Sequence, residues 1–73
     1  MVLHRIDPEQ GVRRFYSLMI ERDLFGTVRL VCNWGWIGTP GREMVTEFPS
    51  EDDAREALEA LAHDKRRRGY RDL

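Results

Sequence analysis

Residues 33–42 read Asn33-Trp34-Gly35-Trp36-Ile37-Gly38-Thr39-Pro40-Gly41-Arg42 and contain both tryptophans of the chain. Trp34 and Trp36 lie two positions apart, so on an uninterrupted strand both rings leave the same face of a sheet. Gly35 between them permits a bulge or a close backbone approach. Residues 39–42 fit a type II turn, because Pro40 sets φ at the second position and Gly41 supplies a positive φ at the third. The stretch predicts a strand that ends in a sharp turn and returns.

Alternating apolar residues predict further strands around this turn. We expect strands over residues 1–7, 13–22 and 42–48, and the strand that carries the tryptophans should cover 27–37. The strand at 13–22 has apolar residues on both faces, so one face should meet a helix and the other a neighbour or a partner.

A single amphipathic helix is expected from Ser50 to residue 68. Ser50 is the predicted N-cap, and Asp53 three residues later resembles a capping box. The apolar residues of this segment recur at three- and four-residue spacing and form one stripe: Ala54, Ala57, Leu58, Leu61 and Ala62. Gly69 should end the helix, and residues 70–73 should add a short extended tail. The predicted fold is α+β, a small twisted antiparallel β-sheet with one amphipathic helix packed across one face, in a single domain.

The order of these features resembles the WGR domain, a family named for a Trp-Gly-Arg triplet. The resemblance runs from about residue 14 to residue 70. The matching positions are Phe15-Tyr16, Trp34-Gly35, Ile37-Gly38-Thr39, Gly41, the helix start at 50–54 and the ending at 65–70. One position departs from the family pattern, because Trp36 stands where the family has its arginine.

The resemblance implies a fold strongly and a function weakly. In poly(ADP-ribose) polymerases the WGR domain holds DNA breaks and relays their presence to a separate catalytic domain, and small stand-alone copies occur in bacteria. The family tryptophan that matches Trp34 packs on the sugar at a DNA end. Tryptophan at position 36 has one donor and no charge, so it removes a cation from the expected site and offers stacking instead.

Charge is segregated along the chain although the formal net charge is only −1. Residues 1–42 carry six arginines and four acids, for a net charge of +2. Residues 43–64 carry eight acids and one arginine, net −7, and residues 65–73 carry five cations and one acid, net +4. Eleven of the twelve cations are arginine, which suits bidentate binding of phosphate or carboxylate.

Catalytic, metal and cofactor sites are not expected. Cys32 is the single cysteine and is predicted to be a small buried apolar residue, and His4 and His63 have no zinc-ligand spacing. No nucleophile lies at a recognisable spacing from a base, and no glycine loop precedes a helix as in a phosphate-binding loop. We expect a non-enzymatic protein without a cofactor. A cytoplasmic location is expected, because the sequence shows neither a secretory leader nor a membrane-length apolar run.

Trp34 has two interpretations. On the same strand face as Leu30 and Cys32, the ring is expected to belong to the core, because aromatic residues supply much of the buried area of a small domain. At a strand end beside glycines and a turn, it is also placed where a flat partner can approach. The first interpretation requires a buried ring, and the second requires an exposed one.

The run from residue 65 to residue 68 also has two interpretations. Its four cations complement the negative end of the helix dipole, and beside Tyr70 they also form a candidate phosphate-binding patch. The acidic stretch from Glu43 to Glu59 is expected to face solvent and to repel DNA.

Two functions follow from these features. The first is a non-catalytic module that binds nucleic acid, expected to be DNA, through its end or backbone. Its predicted site residues are Trp34, Gly35, Trp36, Arg42, Lys65, Arg66, Arg67 and Arg68. The alternative is a protein-interaction adaptor or homodimer that uses exposed tryptophans as a contact hot spot. We expect a monomer or weak homodimer with no membrane partner.

Overall fold

The computed structural model describes residues 1–73 and shows five antiparallel strands with one helix across one face. The elements in chain order are β1 (Val2–Asp7), β2 (Val12–Arg22), β3 (Val28–Trp36), β4 (Arg42–Phe48), α1 (Glu51–Arg67) and β5 (Arg71–Asp72). The strand order in the sheet is β4-β3-β2-β1-β5. The predicted α+β class and the predicted elements are confirmed, including the extended tail, which forms β5.

The alternation of side chains decides which face of the sheet meets the helix. Leu3 of β1 pairs with Tyr16 of β2, and Tyr16 pairs with Trp34 of β3, so these residues share one face. Leu18, Leu30 and Cys32 lie on the same face and are almost fully buried under α1. The opposite face, which we call the open face, carries Val2, Phe15, Met19, Val31 and Val45 without a covering layer.

Both ends of α1 are capped as predicted from the sequence. The Ser50 hydroxyl accepts a hydrogen bond from the Asp53 amide at 3.1 Å. At the other end the Gly69 amide donates to the Arg66 carbonyl, and the Tyr70 amide donates to the Lys65 carbonyl. These two bonds form a Schellman motif, which requires the positive φ of 97° at Gly69. The motif sends the chain back to the sheet as β5.

The helix packs through small residues more than through its leucines. Ala54 and Ala62 are fully buried, whereas Leu58 and Leu61 are partly buried at the margin of the core. Alanine on the buried stripe lets the helix approach the sheet closely, and the two leucines then cover the sides of the contact. The predicted apolar stripe is therefore present, with the alanines rather than the leucines at its centre.

The hydrogen-bonded turn after β3 lies three residues earlier than predicted. The Thr39 amide donates to the Trp36 carbonyl at 3.1 Å, so the turn spans residues 36–39 and Gly38 supplies the positive φ of 94°. The predicted turn over residues 39–42 was wrong in position. Gly41 does have a positive φ, 72°, but it leads the chain into β4. Gly38 and Gly41 both suit a positive φ, and the sequence pattern favoured Gly41 because a proline precedes it.

No bulge forms at Gly35, because the pairing of β2 with β3 continues unbroken from Arg14–Trp36 to Arg22–Val28. No helix of the chain combines the length and the apolar character needed to cross a membrane.

Candidate functional site

Trp34 belongs partly to the core and partly to the surface. Its ring stacks on Tyr16, with the ring centroids 6.0 Å apart and the ring planes 20° from parallel. Tyr16 is only 7% exposed and in turn meets the edge of the Tyr70 ring. Trp34 itself is half-buried and packs against the margin of the core. The side chain therefore satisfies both sequence-based interpretations in part, because one side of the ring is packed and the other is accessible.

Trp36 is the more exposed tryptophan, with half of its surface accessible. It pairs across the sheet with Arg14 of β2, so the two side chains leave the same face at neighbouring positions. The Arg14 guanidinium carbon lies 5.0 Å from the centroid of the Trp36 ring, within the range of a cation–π contact. This contact holds a cation at the end of the sheet, beside an accessible indole.

The two tryptophans border a recess of about 470 Å³ at the turn end of the sheet. Its lining residues are Arg14, Trp34, Gly35, Trp36, Thr39, Gly41 and Arg42. Arg42 of β4 pairs with Trp34 of β3, and Arg14 lies on β2, so arginines flank β3 on both neighbouring strands. No acidic residue lines the recess. Its chemistry is that of aromatic surfaces flanked by cations.

Two glycines give the recess its floor. A Cβ atom at Gly35 would lie 2.8 Å from the Gly41 Cα, and a Cβ atom at Gly41 would overlap the Trp34 carbonyl and the Phe15 ring. The chain entering β4 therefore passes directly against β3 at this point. Thr39 closes the rim, where its hydroxyl donates a hydrogen bond of 2.7 Å to the Trp36 carbonyl.

The four cations at the end of α1 do not form one patch. Lys65 lies against the sheet, with its ammonium nitrogen 4.5 Å from the centroid of the Tyr16 ring. Arg66 binds both carboxylate oxygens of Asp72 at 2.8 Å. Arg68 forms an ion pair with Asp64 at 3.3 Å, and Arg67 forms no ion pair. Of this run the structure brings only Lys65 to the aromatic side chains beside the recess.

Burial raises the pKa of two ionisable groups that lie beneath the recess. Desolvation, with a smaller contribution from the neighbouring Cys32 thiol, raises the pKa of Tyr16 to about 12. Burial also raises the pKa of Cys32, which is 1% exposed as predicted. A protonated phenol and thiol leave Lys65 without an anionic partner beneath it, because the ammonium group faces the π surface of the tyrosine.

Neither Arg14 nor its cross-strand neighbour Arg5 belongs to the site predicted from the sequence. The signal that points to them is strand register. Arg5 pairs with Arg14, and Arg14 pairs with Trp36. The two arginines and Trp36 therefore lie side by side on one face of the sheet, across β1, β2 and β3. Arg14 lies opposite Trp36 because the connection between β2 and β3 has five residues, 23–27; pairing the ends of the predicted strands, residues 22 and 27, would have placed Gly35 there instead.

Fold and recess together define a small α+β domain with an aromatic, cationic surface at one end of its sheet. The model of the WGR domain family matches residues 1–73, and the chain belongs to this family. In proteins resembling poly(ADP-ribose) polymerases the domain is a nucleic-acid-binding module.

A protein of Sinorhizobium fredii, named uncharacterized protein y4dW, is 42% identical to this chain over 71 residues. The match covers 97% of this chain and 35% of that protein, so the chain spans about a third of the relative's length. No solved structure matches the chain significantly.

Proposed function

We propose that this chain is a non-catalytic module that binds nucleic acid, DNA in particular, at the recess beside Trp34 and Trp36. The observation that carries the proposal is the Arg14–Trp36 pair, an accessible indole with a guanidinium held 5.0 Å from its centre. Indole rings stack on bases and sugars, and guanidinium groups bind phosphate oxygens. Family membership supports the same assignment.

Each part of the recess has a distinct role in the proposal. Trp36 provides the exposed stacking surface, and Trp34 provides a second ring whose position is fixed by Tyr16. Arg14 and Arg42 flank the rings and are the proposed phosphate ligands, with Lys65 extending the positive surface toward α1. Gly35 lets the chain at Gly41 pass close against β3, which gives the recess its shape.

The loss of the family arginine is compensated from the neighbouring strand. Position 36 carries no charge in this chain, but Arg14 lies opposite it in the β2–β3 pairing. The site therefore retains a guanidinium close to the second tryptophan. We place the cation on β2 and the aromatic surface on β3, where the family pattern has a single arginine on β3.

A titration of short blunt, nicked and single-stranded DNA over a series of salt concentrations tests this function. Binding through phosphates should weaken steeply as salt rises, with a slope set by the number of phosphates neutralised. Replacing Arg14 with glutamine should lower the affinity and reduce the salt slope by about one. Arg67→Gln removes the same charge from a side chain outside the recess and is the matched control.

The same experiment separates DNA binding from a protein contact at the tryptophans. A half-exposed indole also suits a protein interface, and an apolar contact depends little on salt. If no DNA binds at low salt, and Trp36→Ala instead abolishes self-association or capture of a protein, the adaptor function replaces the proposed one.

A further inference from the structure

The strand β4 leaves a long edge of the sheet unpaired. It pairs with β3 on one side only, and six of its seven residues are exposed. The strand has no proline and no bulge, and none of its backbone groups bonds outside the β3 ladder. The opposite edge of the sheet is the two-residue strand β5. Sheet edges are usually shortened, bulged, covered or charged, because free backbone groups accept another strand, and of these protections β4 has only its charged side chains.

A shallow groove lies on the helix-facing side of the C-terminal end of this edge. It has a volume of about 430 Å³ and lies between the end of β4 and the side of α1. Phe48, Pro49, Ala57 and Ala60 form its apolar part, and Asp53 and Glu56 add two carboxylates. A strand added beside β4 would direct every second side chain to the helix-facing side, and the one opposite Phe48 would lie at this groove.

Most charges around the edge are negative, and the exception is Arg42 at the start of β4, which lines the recess. Glu43 and Glu47 lie on the open face of β4, on either side of Val45 and about 13 Å apart. Glu43, Asp53 and Glu56 form no ion pair, and Glu47 approaches Arg29 at 3.6 Å. An occupant with cations on the open-face side of the added strand would meet Glu43 and Glu47, and Glu43 has no other cationic partner.

These charges also disfavour a second copy of β4 as the occupant. The antiparallel register that pairs all seven residues is centred on Val45 and sets Glu43 opposite Glu47 at two places. Like charges directly opposite each other destabilise a strand pair. The edge is therefore poorly suited to symmetric self-pairing, whereas a basic segment removes the repulsion.

We infer that β4 binds an extended basic segment of another protein as a sixth strand of the sheet. In antiparallel register the segment presents cations opposite Glu43 and Glu47, and a small apolar residue opposite Val45. Of its alternate side chains, those opposite Met44 and Phe48 are apolar, and the one opposite Phe48 lies at the groove beside α1. Main-chain hydrogen bonds supply the affinity of such strand addition, and side-chain positions supply the selectivity. This surface is separate from the recess at the tryptophans.

The test uses an acetylated, amidated peptide with the sequence Leu-Lys-Thr-Val-Leu-Lys-Thr, in the absence of nucleic acid. Isothermal titration should show saturable binding, and hydrogen exchange should show new protection at alternate amides within residues 42–48. Glu43→Lys should weaken binding about three- to tenfold, because one attractive cross-strand pair becomes repulsive. Glu9→Lys makes the same charge change in the β1–β2 connection and should alter affinity less than twofold.

A second peptide with glutamate in place of both lysines completes the test. It should bind the Glu43→Lys, Glu47→Lys double variant more tightly than it binds the unmodified chain. Equal weakening by Glu43→Lys and Glu9→Lys, or exchange protection outside β4, would overturn the inference. Trp36→Ala should leave peptide affinity unchanged, so the outcome is independent of whether the recess binds DNA.

Discussion

At the scale of single residues, Trp34 and Trp36 share one face of the sheet but have different neighbours. Trp34 stacks on the buried Tyr16, whereas Trp36 is half exposed and meets Arg14. The sequence predicted their common face, because two-residue spacing on a strand determines it. It did not predict the difference between them, which depends on α1 covering one end of the row and not the other.

The two tryptophans should respond differently to truncation. Trp34→Ala should lower the free energy of unfolding by about 2–4 kcal/mol, less than a fully buried tryptophan costs, since part of the ring is already accessible. Trp36→Ala should change stability by less than about 1 kcal/mol and weaken DNA binding by about 1–3 kcal/mol. Urea denaturation and DNA titration measure the two effects. Equal losses of stability in both variants would contradict this division.

Tyr16 should make the protein less stable at high pH. Its pKa is about 12 in the folded protein and near 10 when unfolded, so between these values only the unfolded chain loses the proton. Stability contributed by the neutral phenol is present below pH 10 and is lost as the pH rises toward 12. The loss should reach at most about 2–3 kcal/mol. Urea denaturation at pH 8 and pH 11 should show about half of this loss, because pH 11 lies midway between the two pKa values, and Tyr16→Phe should show a smaller decline.

At the scale of elements, the bounds of the strands and the helix follow from local signals in the sequence. Ser50 and Gly69 mark the two caps of α1, and apolar alternation marks the strands. The position of the turn after β3 did not follow from such signals, because Gly38 and Gly41 both suit a positive φ. The direction of each cation at the end of α1 also could not be predicted, since it depends on where β5 and Tyr16 lie in space.

The contact of α1 with the sheet should depend on both its alanines and its leucines. Leu58→Ala should cost about 1–3 kcal/mol, below the usual range for a fully buried leucine, because the side chain lies at the margin of the core. Ala62→Leu should also destabilise the fold by about 1–3 kcal/mol, because Ala62 is fully buried in the core and a larger side chain would overpack it. Thermal denaturation checks both. A stabilising Ala62→Leu change would show that the helix can move away from the sheet at little cost.

Arg66 should hold β5 in place more than it serves any ligand. Its guanidinium binds both oxygens of Asp72, and hydrogen bonding by Arg66 lowers the pKa of that carboxyl group. A depressed carboxyl pKa means that the ion pair contributes at neutral pH and is lost under acid conditions. The Leu73 amide donates to the Val2 carbonyl, and Arg66→Ala should therefore reduce the protection of this amide from hydrogen exchange. In the variant, this protection should no longer fall under acid conditions. Arg67→Ala should leave that exchange rate unchanged.

At the scale of the whole molecule, charge is arranged along α1. Its first turn is acidic and its last turn is basic, and the ends of this 17-residue helix are about 25 Å apart. That distance exceeds twice the screening length at 0.1 M salt. The acidic end therefore contributes little repulsion at the recess, and the net charge of −1 does not describe the surface that a ligand would meet. The sequence showed the charge blocks, but only the packing of α1 placed Lys65 beside Tyr16.

Cys32 should report the opening of the whole fold. It is 1% exposed on the strand between β2 and β4, directly beneath α1, so a thiol reagent reaches it only when the helix and sheet separate. Labelling in native buffer should be slow, and its rate should rise with urea in parallel with global unfolding. Rapid labelling that does not depend on urea would mean that α1 opens independently of the sheet.

Because the two indoles have different surroundings, their intrinsic fluorescence should differ and should report on different parts of the molecule. Trp36, half exposed, should emit at longer wavelength and be quenched readily by a soluble quencher, whereas Trp34 should be shielded on the side that faces Tyr16. The fluorescence of the unmodified chain mixes these two signals. Replacing either tryptophan with phenylalanine separates them, so one single-tryptophan protein follows unfolding while the other follows occupation of the recess.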